Sequence, residues 1–329
     1  MIRTGVVALL ALTPSGCHAA PVTIQATDAR SPLRLERTIP LPGVKGRMDH
    51  LALDLDHRRL FIAEYGNGSV DEVDLATGRI AGRISGLHEP QGVAYLGREK
   101  EWVVTCGDGS VHFYAAADRH EVARLDLGDD ADNVRVDTRN GHVVVGYGSG
   151  GFAVIDPSTH RIILRMALPG HPEGFRLVGS RVLVNVPDKG SIIAGDIDKG
   201  TILSTWKTGR HKLNFPLFVS STGNWFAVAY RLPAALVQYD ATSGKELVMR
   251  PVCGDADDLF VDTRRIYVVC GAGHVDVLAT TASPDPVRVA TAGGARTGLF
   301  SPELHTLFVA APTRRGPAAI LVLDTDSND

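Results

Sequence analysis

The sequence predicts an all-β fold, a seven-bladed β-propeller with four antiparallel strands per blade. Three observations carry that reading. A strand–turn–strand phrase recurs at a near-constant period, an apolar strand accompanies it on each side, and the chain start supplies a strand that the chain end lacks. The phrase appears as FIAEYGNGSVDEVD (61–74), WVVTCGDGSVHFY (102–114), VVVGYGSGGFAVID (143–156), VLVNVPDKGSIIAGD (182–196), WFAVAYRLPAALVQYD (225–240), IYVVCGAGHVDVL (266–278) and LFVAAPTRRGPAAILVLD (307–324). Its first strand ends at Tyr65, Cys106, Tyr147, Val186, Tyr230, Cys270 and Ala311, which gives spacings of 41, 41, 39, 44, 40 and 41. Seven copies at this period identify a repeat architecture.

Each copy has a short apolar strand ahead of it: LALD (51–54), VAYL (93–96), VRVD (134–137), FRLV (175–178), LFVS (217–220), LFVD (259–262) and LFSP (299–302). A fourth strand follows most copies, most clearly RIAGRIS (79–85), EVARLDL (121–127), RIILRMAL (161–168) and TILSTWK (201–207). Four short strands in about 40 residues are a propeller blade, whose faces are buried only by its neighbours. The seventh copy stops after its third strand, and LRLERTIPL (33–41) has the alternation of the missing fourth. The N-terminal strand therefore closes the last blade, so residues 33–329 form one domain without open sheet edges.

The turns carry glycine because they need positive φ. GYGSGG (146–151) has the glycine spacing of a dinucleotide fingerprint, but that fingerprint requires a following helix. The equivalent GNG (66–68), GDG (107–109) and GAG (271–273) lead into strands, which makes 146–151 a hairpin corner.

Ahead of the repeats, MIRTGVVALLALTPSGCHAA has one Arg, a short apolar run from Gly5 to Leu12 and small residues near a cleavage point. The run is too short to span a bilayer and reads as an export signal over residues 1–20, followed by a short extension over 21–32. Cleavage after Ala20 competes with a lipoprotein-like box at Ser15-Gly16-Cys17, which would anchor the chain to a membrane through Cys17. Either route predicts a periplasmic or extracellular protein, where disulfides persist. Cys253 and Cys270 flank one hairpin and are the natural pair, the alternative being three buried thiols with Cys106 in the core. A net charge of −3 with 22% charged residues gives no basic excess for nucleic acid. The expected protein is a monomer.

With the blades in register, the phrases MDHLALD (48–54), EPQGVAYL (89–96), GDDADNVRVD (128–137), HPEGF (171–175), NFP (214–216), CGDADDLFVD (253–262) and GARTGLFSPEL (294–304) resemble the YVTN/YncE-like family of exported bacterial propellers. The resemblance spans roughly residues 33–324. It implies a seven-bladed propeller and no particular reaction. Lactonases and streptogramin lyases are related propellers that work in the central funnel, and no motif here places the chain with either.

In such a wheel the first strand of each blade lines the axis. Its mouth would carry Asp49-His50, Gln91-Gly92, Asp132-Asn133, Glu173-Gly174, Phe215-Pro216, Asp257-Asp258 and Thr297-Gly298. Carboxylates gathered there must be protonated, paired or metal-bound. Arg296 supplies a counter-charge from blade seven, with Arg47, Arg210 and Lys212 in nearby loops. A divalent cation, Ca²⁺ or Mg²⁺, would be held by Asp49, Asp132, Asn133, Asp257 and Asp258, with Asn214 as another oxygen donor. His50, His171 and His211 offer nitrogen. His171, just before Pro172, reads as a surface residue, and His50 as a histidine whose basicity Asp49 raises. The opposing reading is that each Asp is structural, accepting hydrogen bonds from loop N–H groups or from the next blade.

HExxH, paired CxxC, GxSxG and a glycine-rich loop before a helix are all missing, so zinc-protease, elbow-serine and nucleotide chemistry are unsupported. The expected role is binding of a small-molecule ligand or an envelope protein in the funnel. The alternative is a cation-dependent hydrolase or lyase, lactonase-like, with His50 or Glu173 as base and Arg296 holding developing negative charge. A third possibility is a scaffold.

Overall fold

Burial follows strand position within each blade. Second and third strands such as Arg59–Glu64 and Ser69–Asp74 are buried along almost their whole length. Fourth strands such as Arg79–Ser85 and Arg161–Ala167 alternate between exposed and part-buried residues, because they form the outer rim. The computed structural model describes residues 31–281, 285–314 and 316–326. The export signal, both cleavage alternatives and Cys17 lie outside the described residues.

The described strands form seven four-stranded antiparallel sheets, six of them in sequence order from axis to rim and the seventh with Arg34–Pro40 as its outermost strand. The first strands are Leu51–Asp54, Pro90–Leu96, Ala131–Val136, Phe175–Val178, Lys212–Val219, Ala256–Val261 and Gly298–Ser301. The fourth strands that the sequence left unassigned are Glu246–Pro251 in blade five and Val287–Ala290 in blade six. The fingerprint-like glycines turn a corner into the strand Gly151–Asp156, as a hairpin requires.

The core is divided among the seven interfaces between blades. Phe61 and Ala63 of blade one pack with Trp102 and Val104 of blade two, and Phe152 of blade three packs with Phe175 and Val184 of blade four. The Phe61 and Trp102 rings lie 4.0 Å apart between centroids. No blade has an interior of its own, so the fold is stable only as a ring.

The ring closes as the sequence predicts. Arg34–Pro40 pairs antiparallel with Ala319–Asp324, running from Arg34 opposite Asp324 to Pro40 opposite Ala319. Arg34 Nη2 reaches Asp324 Oδ2 at 2.9 Å. From blade six, Arg265 Nη1 donates to the carbonyls of Pro32 (3.0 Å) and Thr325 (2.6 Å), holding both ends of the described chain. A disulfide joins Cys253 to Cys270, and Cys106 is a buried free thiol.

Ile39 of the closing strand is buried between blades seven and one, while Thr38 beside it faces out. Ile39→Asp would bury a carboxylate and is expected to lower the melting temperature by at least about 6 °C, with Thr38→Asp close to wild type. Equal melting of the two variants by circular dichroism would contradict this closure.

Candidate functional site

A β-bulge at the mouth of the first strand decides what the blades present to the axis. In blade one the Asp49 N–H donates to the Ala63 carbonyl (2.7 Å) and the Ala63 N–H to the His50 carbonyl (3.0 Å), so two residues oppose one. Glu173 and Gly174 oppose Asn185 in the same way. Register shifts fall at the matching places in blades two, three, five and six. A bulge breaks the two-residue alternation and re-aims side chains. Asp132 and Arg135, three residues apart, can therefore both line the channel.

The same level stitches each blade to the next. His50 N–H donates to the Gln91 carbonyl (3.1 Å), the Thr105 hydroxyl to the Asp132 carbonyl, and His171 Nδ1 to the Gly148 carbonyl (2.7 Å). Gly174 N–H donates to the Phe215 carbonyl (3.1 Å), Arg231 Nε to the Ala256 carbonyl (3.0 Å) and Gly298 N–H to Asp258 Oδ2 (2.8 Å). The Thr297 hydroxyl, 3.5 Å from the Met48 carbonyl, completes the circle. Glycine is required where this contact is tightest. A Cβ on Gly92 would lie 2.4 Å from the Asp132 carbonyl oxygen, and one on Gly174 would lie 2.4 Å from that of Phe215.

Inside this belt is a polar cavity of about 230 Å³. Asp49, His50, Asp132, Asn133, Glu173, Asp257, Asp258 and Arg296 all line it, so the residues expected from the sequence are brought together. His211, Asn214, Arg210 and Lys212 are not part of it. His211 is buried against Tyr230 and Glu246, Asn214 bonds Asn185 and the Ser191 carbonyl, and the two basic residues are exposed. A larger groove of about 870 Å³ lies at the other ends of the first strands of blades five to seven, among turn residues such as Thr222 and Arg264.

The carboxylates sort by partner. Asp49 is held by Arg47 (2.5 Å), Asp257 by Arg231, Asp130 by Gln91 (2.7 Å) and Asp258 by the Gly298 N–H. Asn133 Oδ1 accepts from Arg135 at 3.2 Å. Arg296 is engaged by Asp255 at 3.0 Å, and its Nε is buried without a partner. Of the five oxygen donors expected to share one cation, only Asp132 joins a compact set. Among the described residues, one group of His, Cys, Asp and Glu ligand atoms lies within 4.8 Å of one another: Asp132, His171 and Glu173.

His171 is thus half-buried in the funnel and not on the outer surface, because its Nδ1 is tied to the Gly148 carbonyl. That bond leaves Nε2 facing Asp132 at 3.7 Å. The structural role set against metal binding holds for Asp258, which accepts the N–H of Gly298 in the next blade. Capping of a turn is seen at rim residues such as Asp74 and Asp240, whose carboxylates accept turn N–H groups.

Burial pushes Glu173 up to about 8, with Asp132 adding repulsion, and pushes Asp49, Asp257 and Asp258 up to about 7. Burial also raises Asp132, but His171 and His50 more than offset it and hold this carboxyl below the ordinary range. His50 departs from the expectation that Asp49 raises its basicity. Its Nε2 is 3.9 Å from Asp49 and 4.0 Å from Asp132. Burial nonetheless lowers it to about 4, helped by Arg135, Arg176 and Arg47 against the pull of Asp132. His50 is a neutral imidazole at neutral pH.

Sequence reasoning missed Asp130, Arg135, Arg176 and Arg231, all of which line the cavity. The first three sit near residues that were singled out, two positions before Asp132 and three after Asp132 and Glu173. Arg231 is the penultimate residue of Trp225–Leu232, the second strand of blade five, and only the blade alignment would have pointed to it.

No protein-family model matches the chain, and no curated protein matches it. Among solved structures, a chain of "Kuenenia stuttgartiensis Hydrazine Synthase" superposes with a TM-score of 0.76 at 16% identity, covering 88% of this chain and 99% of that one. At that identity the likeness shows the propeller fold alone.

A carboxyl raised by the fold binds its proton more tightly there than in the unfolded chain. Its contribution to stability is full below the ordinary value of 3.8 and is lost as the pH rises through about 7. Asp258→Asn keeps an acceptor for the Gly298 N–H and removes this loss. The variant is expected to melt like wild type at pH 5 and about 4 °C higher at pH 8. A parallel pH dependence of the two proteins would show that Asp258 carries no such penalty.

Proposed function

We propose that the chain is an exported cell-envelope propeller of the YncE-like type that binds a small polar ligand in its funnel, together with a divalent cation held by Asp132, His171 and Glu173. The single observation that carries the reading is the convergence of His171 on two carboxylates. Its Nδ1–H is spent on the Gly148 carbonyl, so Nε2 faces Asp132 and Glu173, which have no other tight partner. Burial opposes the charge, but Asp132, the Gly148 carbonyl and Glu173 hold the imidazole up to about 9. Without metal, Nε2 therefore carries a proton that a cation would displace. A backbone carbonyl behind the imidazole is the usual support of a metal-binding histidine. One nitrogen and two oxygens favour Mn²⁺ or Zn²⁺ over the Ca²⁺ or Mg²⁺ expected from oxygens alone. The Cys253–Cys270 disulfide supports an oxidising compartment.

The second reading, a cation-dependent hydrolase or lyase, is favoured by one further observation. His50 places a neutral imidazole 4.0 Å from Asp132, one of the three residues that would hold the cation. In that reading Asp132, His171 and Glu173 would hold a cation that supplies Lewis-acid chemistry, His50 would accept a proton from the attacking water, and Arg296 would steady the oxyanion.

Chelated protein is expected to melt about 5 to 10 °C higher when Mn²⁺ or Zn²⁺ is added at roughly a hundred times its dissociation constant. His171→Ala and Glu173→Gln should each abolish that rise, and Asp257→Asn should keep it. Glu173→Gln should be no less stable than wild type without metal, since it removes a buried carboxylate. Failure of Mn²⁺, Zn²⁺, Ca²⁺ and Mg²⁺ alike to shift the transition would refute the cation site. Lactone turnover lost in His50→Gln would select the enzymatic reading.

A further inference from the structure

Beneath the carboxylates the channel holds two arginines that the cation reading does not use. Arg135 and Arg176 occupy the same position on adjacent blades, three residues beyond Asp132 and Glu173. The other five blades have Ala52, Ala94, Phe218, Phe260 and Phe300 there, so blade packing does not call for a cation. Both side chains line the funnel and also a second cavity of about 250 Å³ that continues down the axis.

The other funnel arginines are neutralised: Arg47 by Asp49, Arg231 by Asp255 and Asp257, and Arg296 by Asp255. Among the described residues, neither Arg135 nor Arg176 has a carboxylate within 4.0 Å. Arg135 donates to the Val134 carbonyl (2.7 Å) and to Asn133 Oδ1 (3.2 Å), and Arg176 only to the Phe175 carbonyl (2.9 Å). A guanidinium has five N–H donors, so most of theirs are unspent. The two charges lie close enough to repel, and each lies in a low-dielectric channel where an unpaired ion is unfavourable. Asp258, which faces them, has one oxygen committed to the Gly298 N–H. The wall of this second cavity is largely apolar, with Phe260 level with the arginines, Leu51, Val93, Val134 and Leu299 just above that level, and Tyr95 and Val136 below it.

We propose that Arg135 and Arg176 form an anion site for the carboxylate of a small organic acid, whose short apolar part extends into the cavity below. Two planar forks match a carboxylate's oxygens, and the apolar wall suits a hydrocarbon stub better than a free phosphate. The inference rests on the small-ligand reading of the funnel and not on the cation. Loss of the cation site leaves it standing, and a funnel that binds metal but no carboxylate removes this inference alone.

The test is calorimetric titration of the full mature chain, stripped of metal and freed of chelator, with butyrate, butyramide and inorganic phosphate. Butyrate is expected to bind and to raise the melting temperature, whereas butyramide, similar in shape but uncharged, does neither. Arg135→Met and Arg176→Met should each weaken butyrate at least tenfold while melting no lower than wild type. Arg176→Lys, which keeps charge and loses the fork, should fall between. No butyrate binding, equal binding of butyramide, phosphate binding without butyrate, or unchanged affinity in both Met variants would each overturn the proposal.

Discussion

Everything at the hub depends on one pairing, that of Arg34–Pro40 with Ala319–Asp324. These segments are separated by nearly the whole described chain, and their union turns seven sheets into a wheel. Only in a closed wheel does each blade have a neighbour on both sides, and only then can the circle of hydrogen bonds from His50 round to Thr297 run without a break. The hub is therefore a frame of backbone carbonyls and amides bridged by the side chains of Thr105, His171, Arg231, Asp258 and Thr297. The side chains it carries are held by strands and not by wandering loops.

That frame forces like charges together, and their individual partners decide the chemistry. Asp258 is a structural acceptor for the next blade, and Asp49 and Asp257 are half of ion pairs. Such engagement leaves little lone-pair capacity for a metal. Asp132 and Glu173 differ because the groups near them are an imidazole and each other. A site emerges from the carboxylates the fold has not already used, which is a different set from the carboxylates the repeat brings near the axis.

The architecture was legible because period, strand number and closure are each written many times over. The convergence of the mouth dipeptides was also legible, since it follows from the repeat alone. Which oxygens remain available was not, because Arg47 and Arg231 reach their carboxylates through side-chain paths that no spacing encodes. His171 was misread for a related reason: a residue before proline in a loop looks solvent-facing until the Gly148 carbonyl of the preceding blade is seen behind it. Arg135 and Arg176 were hidden by the bulge. Strict alternation would turn a residue three beyond Asp132 to the opposite face of its sheet, and one extra residue in the strand turns it back.

The stacking of a carboxylate-rich mouth over a guanidinium-lined throat gives the channel a built-in polarity. A uniformly charged molecule feels this as a mixture of attraction and repulsion along its path. A zwitterion feels it as a compass: with its positive end outward and its negative end inward both interactions are favourable, and reversed both are not. The wheel has near seven-fold regularity in its backbone, yet its hub distinguishes up from down and, through the unequal sides of blades three and four, left from right. A chiral guest would meet there a host able to tell it from its mirror image.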